Sequence, residues 1–353
     1  MTITPSAAAR RLRDDAKNRI LLTDGAFGTM IQGYGLQEAD FRGELELSHD
    51  QKGNNDILVL TRPDVPDAIT RAYLDAGSDI VSTNTFNANR ISQADYGAEN
   101  MVRDINVAAA SIARKAADEY AARDGRPRYV AGALGPTNKT LSLSPDVNDP
   151  GFRAISFDEL KSVYREQIDA LLEGGVDFIL IETVFDTLNA KAGIMAAMEA
   201  GGARGAEVPL MLSFTVTDMS GRNLSGHTIE SFWASVRHAN PLTIGMNCSF
   251  GAAQLRPHVA TIAAKADTLV MVYPNAGLPN ELGAYDETPE TTAGFIADWA
   301  NEGLINIIGG CCGSTPAHIA AIAETVKGQP PRVIPHPPVR TLLAGIEPMV
   351  IPA

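Results

Sequence analysis

Cysteine is scarce in this sequence: three residues in 353, at positions 248, 311 and 312. Three thiols cannot pair off evenly, so a disulfide framework is not expected. A reducing cytoplasm is the expected compartment. Long apolar runs are lacking too, and the short, interrupted ones present do not read as membrane spans. The opening MTITPSAAARRLRDDAKNRI mixes charges and has no apolar stretch of the signal-peptide kind. Basic clusters are absent beyond RRLR at 10–13, and the formal net charge is −13. That balance argues against a nucleic-acid binder and fits a solvated acidic surface that aids solubility. There is no low-complexity tract. None of the six histidines (49, 227, 238, 258, 318, 336) forms H-E-x-x-H or pairs obviously with the cysteines, so all six read as surface or satisfied core residues.

What is present is length and apolar content, 45%, enough for one large core or two ordinary ones. Eight short aliphatic runs recur: RILLTD (19–24), DIVSTN (79–84), YVAGAL (129–134), DFILIE (177–182), PLMLSF (209–214), TIGMNC (243–248), TLVMVY (268–273) and INIIGG (305–310). Their near-continuous apolar character is that of strands buried on both faces. Between them lie Ala-, Leu- and Glu-rich stretches such as 100–124, 158–175 and 317–328, with glycines 174, 175 and 328 suited to helix C-termini. Alternating β and α implies a parallel sheet. Eight such units imply an α/β fold of one kind, a single (β/α)8 TIM barrel. The alternative is a doubly wound open sheet, which usually carries G-x-G-x-x-G after its first strand, and DGAFGT does not match. The expected division is an N-terminal helical extension over 1–18, a barrel over 19–328 and a proline-rich strap or linker over 329–353.

Barrel geometry places the chemistry. Active sites of this fold sit at the C-terminal ends of the strands. Asp24, Thr83, Asn84, Glu182, Cys248, Asn275, Cys311 and Cys312 all fall at or just after such ends. The three cysteines therefore converge, although 63 positions separate Cys248 from Cys311. One reading is a single metal ion, with zinc the natural candidate for thiolates. Three protein ligands leave a position open for water or substrate, and glycines around Cys311-Cys312 allow a tight turn. The other readings are three ordinary buried cysteines and a vicinal disulfide between Cys311 and Cys312. A three-thiolate zinc is a weak activator of water. It is better suited to binding a fourth thiol and removing its proton, which points to S-alkylation of a thiol substrate. Asp24 before Gly25 also reads as a cap or turn, Glu182 as half of a structural ion pair, and Asn275 as turn chemistry. The stretch 135–156, rich in Pro, Asn, Asp and Ser, reads as a lid or docking loop, or as rigid scaffolding.

DGAFGTM (24–30), ADFRGE (39–44), KGNNDILVL (52–60), NTFNAN (84–89), LGPTN (134–138), SPDVNDP (144–150), IETVFDTLNAK (181–191), MNCSFG (246–251), YPNAGLPN (273–280) and GGCCGSTP (309–316) carry a resemblance over about 15–348. They resemble the homocysteine-binding barrel of cobalamin-dependent methionine synthase, within the zinc homocysteine S-methyltransferase family. The resemblance implies Zn2+ on Cys248, Cys311 and Cys312. It implies that Asp24 and Gly25 form the turn holding the amino acid part of homocysteine, with Thr83 near its carboxylate and Glu182 on its ammonium. Asn275 would fill the open zinc position before substrate arrives. Methylcobalamin would be the methyl donor. No D-x-H-x-x-G is found, so it would come from a partner: a cobalamin- and methyltetrahydrofolate-binding subunit or module. Members of that kind are usually longer chains, so the sequence reads as an excised fragment or a split subunit. Two rival expectations stand beside this: a stand-alone methyltransferase using S-methylmethionine, S-adenosylmethionine or betaine, and a non-catalytic docking subunit with structural zinc.

Overall fold

The computed structural model describes residues 4–338 and 340–351. Parts of the expected extension (1–3) and strap (339, 352–353) lie outside the described residues. Eight parallel strands form one sheet: β1 (Leu21–Leu22), β2 (Ile80–Ser82), β3 (Tyr129–Leu134), β4 (Phe178–Val184), β5 (Leu210–Phe214), β6 (Thr243–Gly251), β7 (Leu269–Asn275) and β8 (Ile307–Ile308). Each pairs with its neighbour in sequence, and β8 pairs with β1. A parallel bridge between Thr23 and Ile80 joins β1 to β2 and closes the ring. A helix or group of helices follows every strand. This is the (β/α)8 barrel expected from the alternation.

Period-two alternation sorts each strand into two faces. Val130, Ile179, Leu212, Ile244, Val270 and Ile308 face outward and join the helices in the larger core. Tyr129, Phe178, Met211, Leu269, Met271 and Ile307 face inward and fill the lumen. The helix Ala7–Asp15 closes the N-terminal end of that lumen. Ser6 caps it by accepting the Ala9 N–H at 3.1 Å, and Ala9, Leu12 and Ala16 pack against the inward-facing side chains. Leu12 is fully buried, so truncation to Ala would cost about 2–5 kcal/mol.

The long segment after β3 is pinned at its base. Asp186 caps the helix Thr187–Arg204 through the Leu188 and Asn189 N–H groups. The same carboxylate accepts the Ser142 N–H at 2.9 Å and the Ser142 hydroxyl at 2.7 Å. Asn189 adds bonds to the Leu141 N–H and the Lys139 carbonyl. Farther out, Val147 is 92% exposed. Near the C-terminus, within the expected strap, strands β9 (Leu342–Ala344) and β10 (Pro348–Val350) form an antiparallel hairpin. It sits against the helix Ile229–Val236, with the Thr228 N–H and the Ser231 hydroxyl donating to its turn carbonyls.

Candidate active site

Strict alternation would turn Thr183 and Cys248 outward, toward the helices. Instead both line the central cavity, next to Glu182 and Asn247, which also line it. The reason lies in the backbone. The register slips between Ile181 and Val184 on β4 and between Asn247 and Gly251 on β6. Thr183 (φ 56°), Cys248 (φ 60°) and Ser249 (φ 63°) all adopt the left-handed region. Each such conformation costs on the order of 1–3 kcal/mol for a non-glycine residue and persists only when its surroundings over-determine it. Asn247 supplies much of that. Its Oδ1 accepts the Thr183 N–H at 3.0 Å and the Ser213 hydroxyl at 2.6 Å. Its Nδ2 donates to Thr183 Oγ1 at 2.9 Å.

The bulge brings Cys248 to the two cysteines that follow β8. Cys248 Sγ lies 2.9 Å from Cys311 Sγ and 3.6 Å from Cys312 Sγ, and the three sulfurs all lie within 4.8 Å of one another. All are free thiols. Gly313 (φ 79°) turns the chain directly after the pair, and its N–H donates to Thr29 Oγ1 at 2.9 Å. Hydrogen bonds from Cys248 and then Cys311 push the Cys312 thiol below its ordinary range, while the bond with Cys248 pushes Cys311 up. One sulfur of the group is thus poised to be an anion, held by its neighbours.

The cluster fits a thiophilic cation. A tetrahedral ion with bonds of about 2.3 Å would set its sulfurs roughly 3.8 Å apart; Cys248 and Cys312 are already near that spacing at 3.6 Å, while Cys248 and Cys311, at 2.9 Å, would have to part slightly. A second observation agrees. Asn275 Oδ1 is buried without a hydrogen-bond partner among the described residues. The residue sits between two backbone bonds to the cysteine loop, from the Cys311 N–H to the Pro274 carbonyl and from the Ala276 N–H to the Cys312 carbonyl. A buried acceptor left alone costs about 1–3 kcal/mol, which a cation or donor arriving beside it would offset.

Beside the sulfurs the cavity holds about 250 Å³. Three carboxylates line it, Asp24, Asp56 and Glu182, and among the described residues no lysine, arginine or histidine does. Burial lifts Glu182 to about 8, Asp56 to about 7 and Asp24 to about 6. Each keeps a partner. The Tyr273 hydroxyl donates to Glu182 Oε2 at 3.1 Å, and the Asn87 N–H to Asp56 Oδ1 at 3.0 Å. Ser82 gives Asp24 Oδ2 both its N–H (2.7 Å) and its hydroxyl (2.8 Å). Carboxylates held in an apolar wall without a basic counterpart favour a cationic guest, which would return them to their charged form.

The structure brings together most of the residues singled out in the sequence. Asp24, Gly25, Thr83, Glu182, Cys248, Cys311 and Cys312 share one cavity. Asn275 is buried next to the cysteine loop. Thr83 is committed to the sheet: its N–H donates to the Ala131 carbonyl at 3.0 Å, and its Oγ1 accepts the Ala133 N–H at 3.0 Å. Among the described residues neither Asp24 nor Glu182 has a basic partner; Asp24 ties β1 to β2, and Glu182 meets a tyrosine. Sequence reasoning passed over Ser82, Asp56, Asn247 and Tyr273. All four stand inside quoted stretches (DIVSTN, KGNNDILVL, MNCSFG, YPNAGLPN), but their partners lie on other strands.

Fold and site together define a (β/α)8 barrel with a three-cysteine cluster and an acidic pocket at the C-terminal mouth. The sequence profile of the family described as homocysteine S-methyltransferase matches residues 21–326, and the chain belongs to that family. Among solved structures it is similar to the homocysteine methyltransferase MmuM from Escherichia coli. The oxidized form superposes with a TM-score of 0.71 at 21% identity, covering 90% of this chain and 99% of that one. The metallated form gives 0.69 at 22% identity, covering 89% and 98%. At these identities the likeness is one of fold. No helix among the described residues is long and apolar enough to cross a membrane.

Proposed function

We propose that the protein transfers a methyl group to the sulfur of homocysteine, using Zn2+ held by Cys248, Cys311 and Cys312. The observation that carries this reading is the convergence of three thiols from β6 and the loop after β8 on a cavity lined with carboxylates. Zinc bound there supplies the chemistry of a Lewis acid that strips the proton from a coordinated thiol. The chain's own residues do the rest. Glu182 and Asp24 face the amino acid's ammonium, and their raised affinity for protons means that the ammonium replaces a proton on binding. Gly25 lets the backbone pass close to the amino acid portion. Thr83 shapes the wall from β2 while staying bonded into the sheet. Asn275 offers its unpaired Oδ1 to the metal side until substrate arrives. The substrate sulfur then attacks a methyl carbon presented at the open mouth. The new C–S bond forms as the donor keeps the electron pair of the bond that breaks, and the product is methionine.

The donor we infer is methylcobalamin, carried by a cobalamin- and folate-binding partner or module. The motifs SPDVNDP and IETVFDTLNAK support this. SPDVNDP lies in the segment after β3 whose base is pinned by Asp186 and Asn189, both within IETVFDTLNAK, and its Val147 is left exposed for contact. A second donor class, a sulfonium or quaternary ammonium such as S-methylmethionine or betaine, is favoured by a wall whose ionisable carboxyls have no basic counterpart among the described residues. We read residues 19–328 as the catalytic unit, in a cytoplasmic setting. The test is product formation by zinc-loaded protein with homocysteine and one donor at a time. Methionine from methylcobalamin but not from S-methylmethionine or betaine supports the cobalamin reading. The reverse pattern keeps the thiol chemistry and replaces the donor. No methionine from any donor, with zinc unmoved by homocysteine, leaves the docking-subunit alternative.

A further inference from the structure

Asn247 stands in the MNCSFG stretch directly before a cysteine ligand, and the mechanism above gives it no role. It is 1% exposed, and its amide is fully engaged. Besides the bonds to Thr183 and Ser213, its Nδ2 faces Cys311 Sγ at 3.8 Å. The orientation of that amide is forced. The Thr183 N–H can only donate, so the atom opposite it must be the amide oxygen. Flipping the group would set N–H against N–H in a buried site. An N–H is therefore the only group Asn247 can present to Cys311.

We propose that Asn247 is a positioning residue of the thiolate cluster. Locked by Thr183 and Ser213, it donates an N–H to the Cys311 sulfur and so sets that sulfur's direction and electron density. This rests on the reading of the three cysteines as metal ligands. Three thiolates and a substrate thiolate around a divalent cation leave two net negative charges, and a hydrogen bond into a sulfur takes up part of that charge. Partners that orient metal ligands in this way matter nearly as much as the ligands. The same amide holds Thr183, the neighbour of Glu182. It thereby ties the carboxylate of β4 to the sulfurs of β6 and of the loop after β8, so that ammonium and thiol of one substrate meet groups held at a fixed separation.

The test uses the reduced full chain as wild type, Asn247→Asp and Ser213→Ala. Asp keeps an acceptor for the Thr183 N–H and the Ser213 hydroxyl, and Thr183 Oγ1 can turn to donate to it, but an oxygen replaces the N–H facing Cys311. The readouts are zinc affinity, by competition with a chromophoric chelator, and the thiolate-to-metal charge-transfer band of the Co2+-loaded protein. Asn247→Asp is expected to weaken zinc binding about 10–100-fold and to shift the band. Ser213→Ala, altered on the far side of the amide, is expected to leave the band in place. An Asn247→Asp protein with wild-type affinity and an unshifted band overturns the inference while leaving the metal site standing. Should that variant not fold, the wild type loaded with a spin-active cadmium isotope decides. Scalar coupling between the Asn247 side-chain amide and the metal nucleus through sulfur is expected, and its absence overturns the proposal. A wild type that binds neither Zn2+ nor Co2+ refutes the metal reading itself, and this inference with it.

Discussion

Glu182 makes the metal-free protein sensitive to pH in a way that Glu182→Gln removes. Its carboxyl rises from an ordinary 4.5 to about 8, through burial first and then the nearby charges of Asp24 and Cys312, with the Tyr273 hydroxyl pulling the other way. The unfolded chain gives up this proton near pH 4.5, the folded chain only near pH 8. Between those values the unfolded state holds fewer protons, so stability falls as pH rises and levels off above 8. At about 1.4 kcal/mol per pH unit the whole interval amounts to roughly 5 kcal/mol. Glu182 is only partly buried, and water in the cavity screens its charge, so about 2 kcal/mol is the working figure. Asp24 and Asp56 act in the same direction, but their losses are complete near pH 6 and pH 7. Comparing the wild type with Glu182→Gln isolates Glu182 from the other two. Urea unfolding with a chelator and a reductant present, followed by far-UV dichroism from pH 5 to 8.5, reads this directly. The gap between Glu182→Gln and wild type should widen by about 2 kcal/mol across that range. Parallel curves would refute the reasoning. The functional counterpart is proton release: homocysteine binding at pH 7 should release up to about one proton more from the wild type than from the variant, seen by calorimetry in buffers of different ionisation enthalpy.

Cys311→Ala should lose zinc and methyl transfer while the far-UV spectrum stays native, because the sulfur sits at the cavity and not within a strand; loss of the spectrum would argue for a structural site. Gly25→Ala would set a methyl 2.8 Å from the Tyr73 ring and hydroxyl and 2.9 Å from Ser314 Oγ. Overpacking there should lower stability by about 1–3 kcal/mol in denaturant titration, and an unchanged midpoint would show that Tyr73 can yield.

Much of this was readable from order and spacing. YVAGAL is β3 residue for residue, and the other seven runs each contain their strand or overlap it. Strands covered on both faces need apolar residues at every position, and that leaves a dense local signal. The cysteine convergence followed from ring closure, since β8 must lie against both β7 and β1. What spacing could not show was direction. By alternation alone Cys248 belongs on the outer face. Its entry into the cavity depends on a left-handed turn held by a side chain bonded to Thr183 and Ser213, on two other strands. Ser82 and Tyr273 escaped notice for the same reason: each matters through a carboxylate more than 50 positions away. The hairpin of β9 and β10 lay within a proline-rich tail, where the composition signalled extension but not pairing.

The lumen, filled by inward side chains and capped at its far end by the helix Ala7–Asp15, has a kinetic consequence. A barrel shut at its base has one doorway. The amino acid whose thiol meets the cysteines occupies the deep end, and whatever carries the methyl group occupies the shallow end. Traffic is then last in, first out: the acceptor enters before the donor, and the spent donor departs before methionine can. Initial-rate patterns should be those of an ordered sequential reaction, with excess donor trapping the empty enzyme in a dead-end complex.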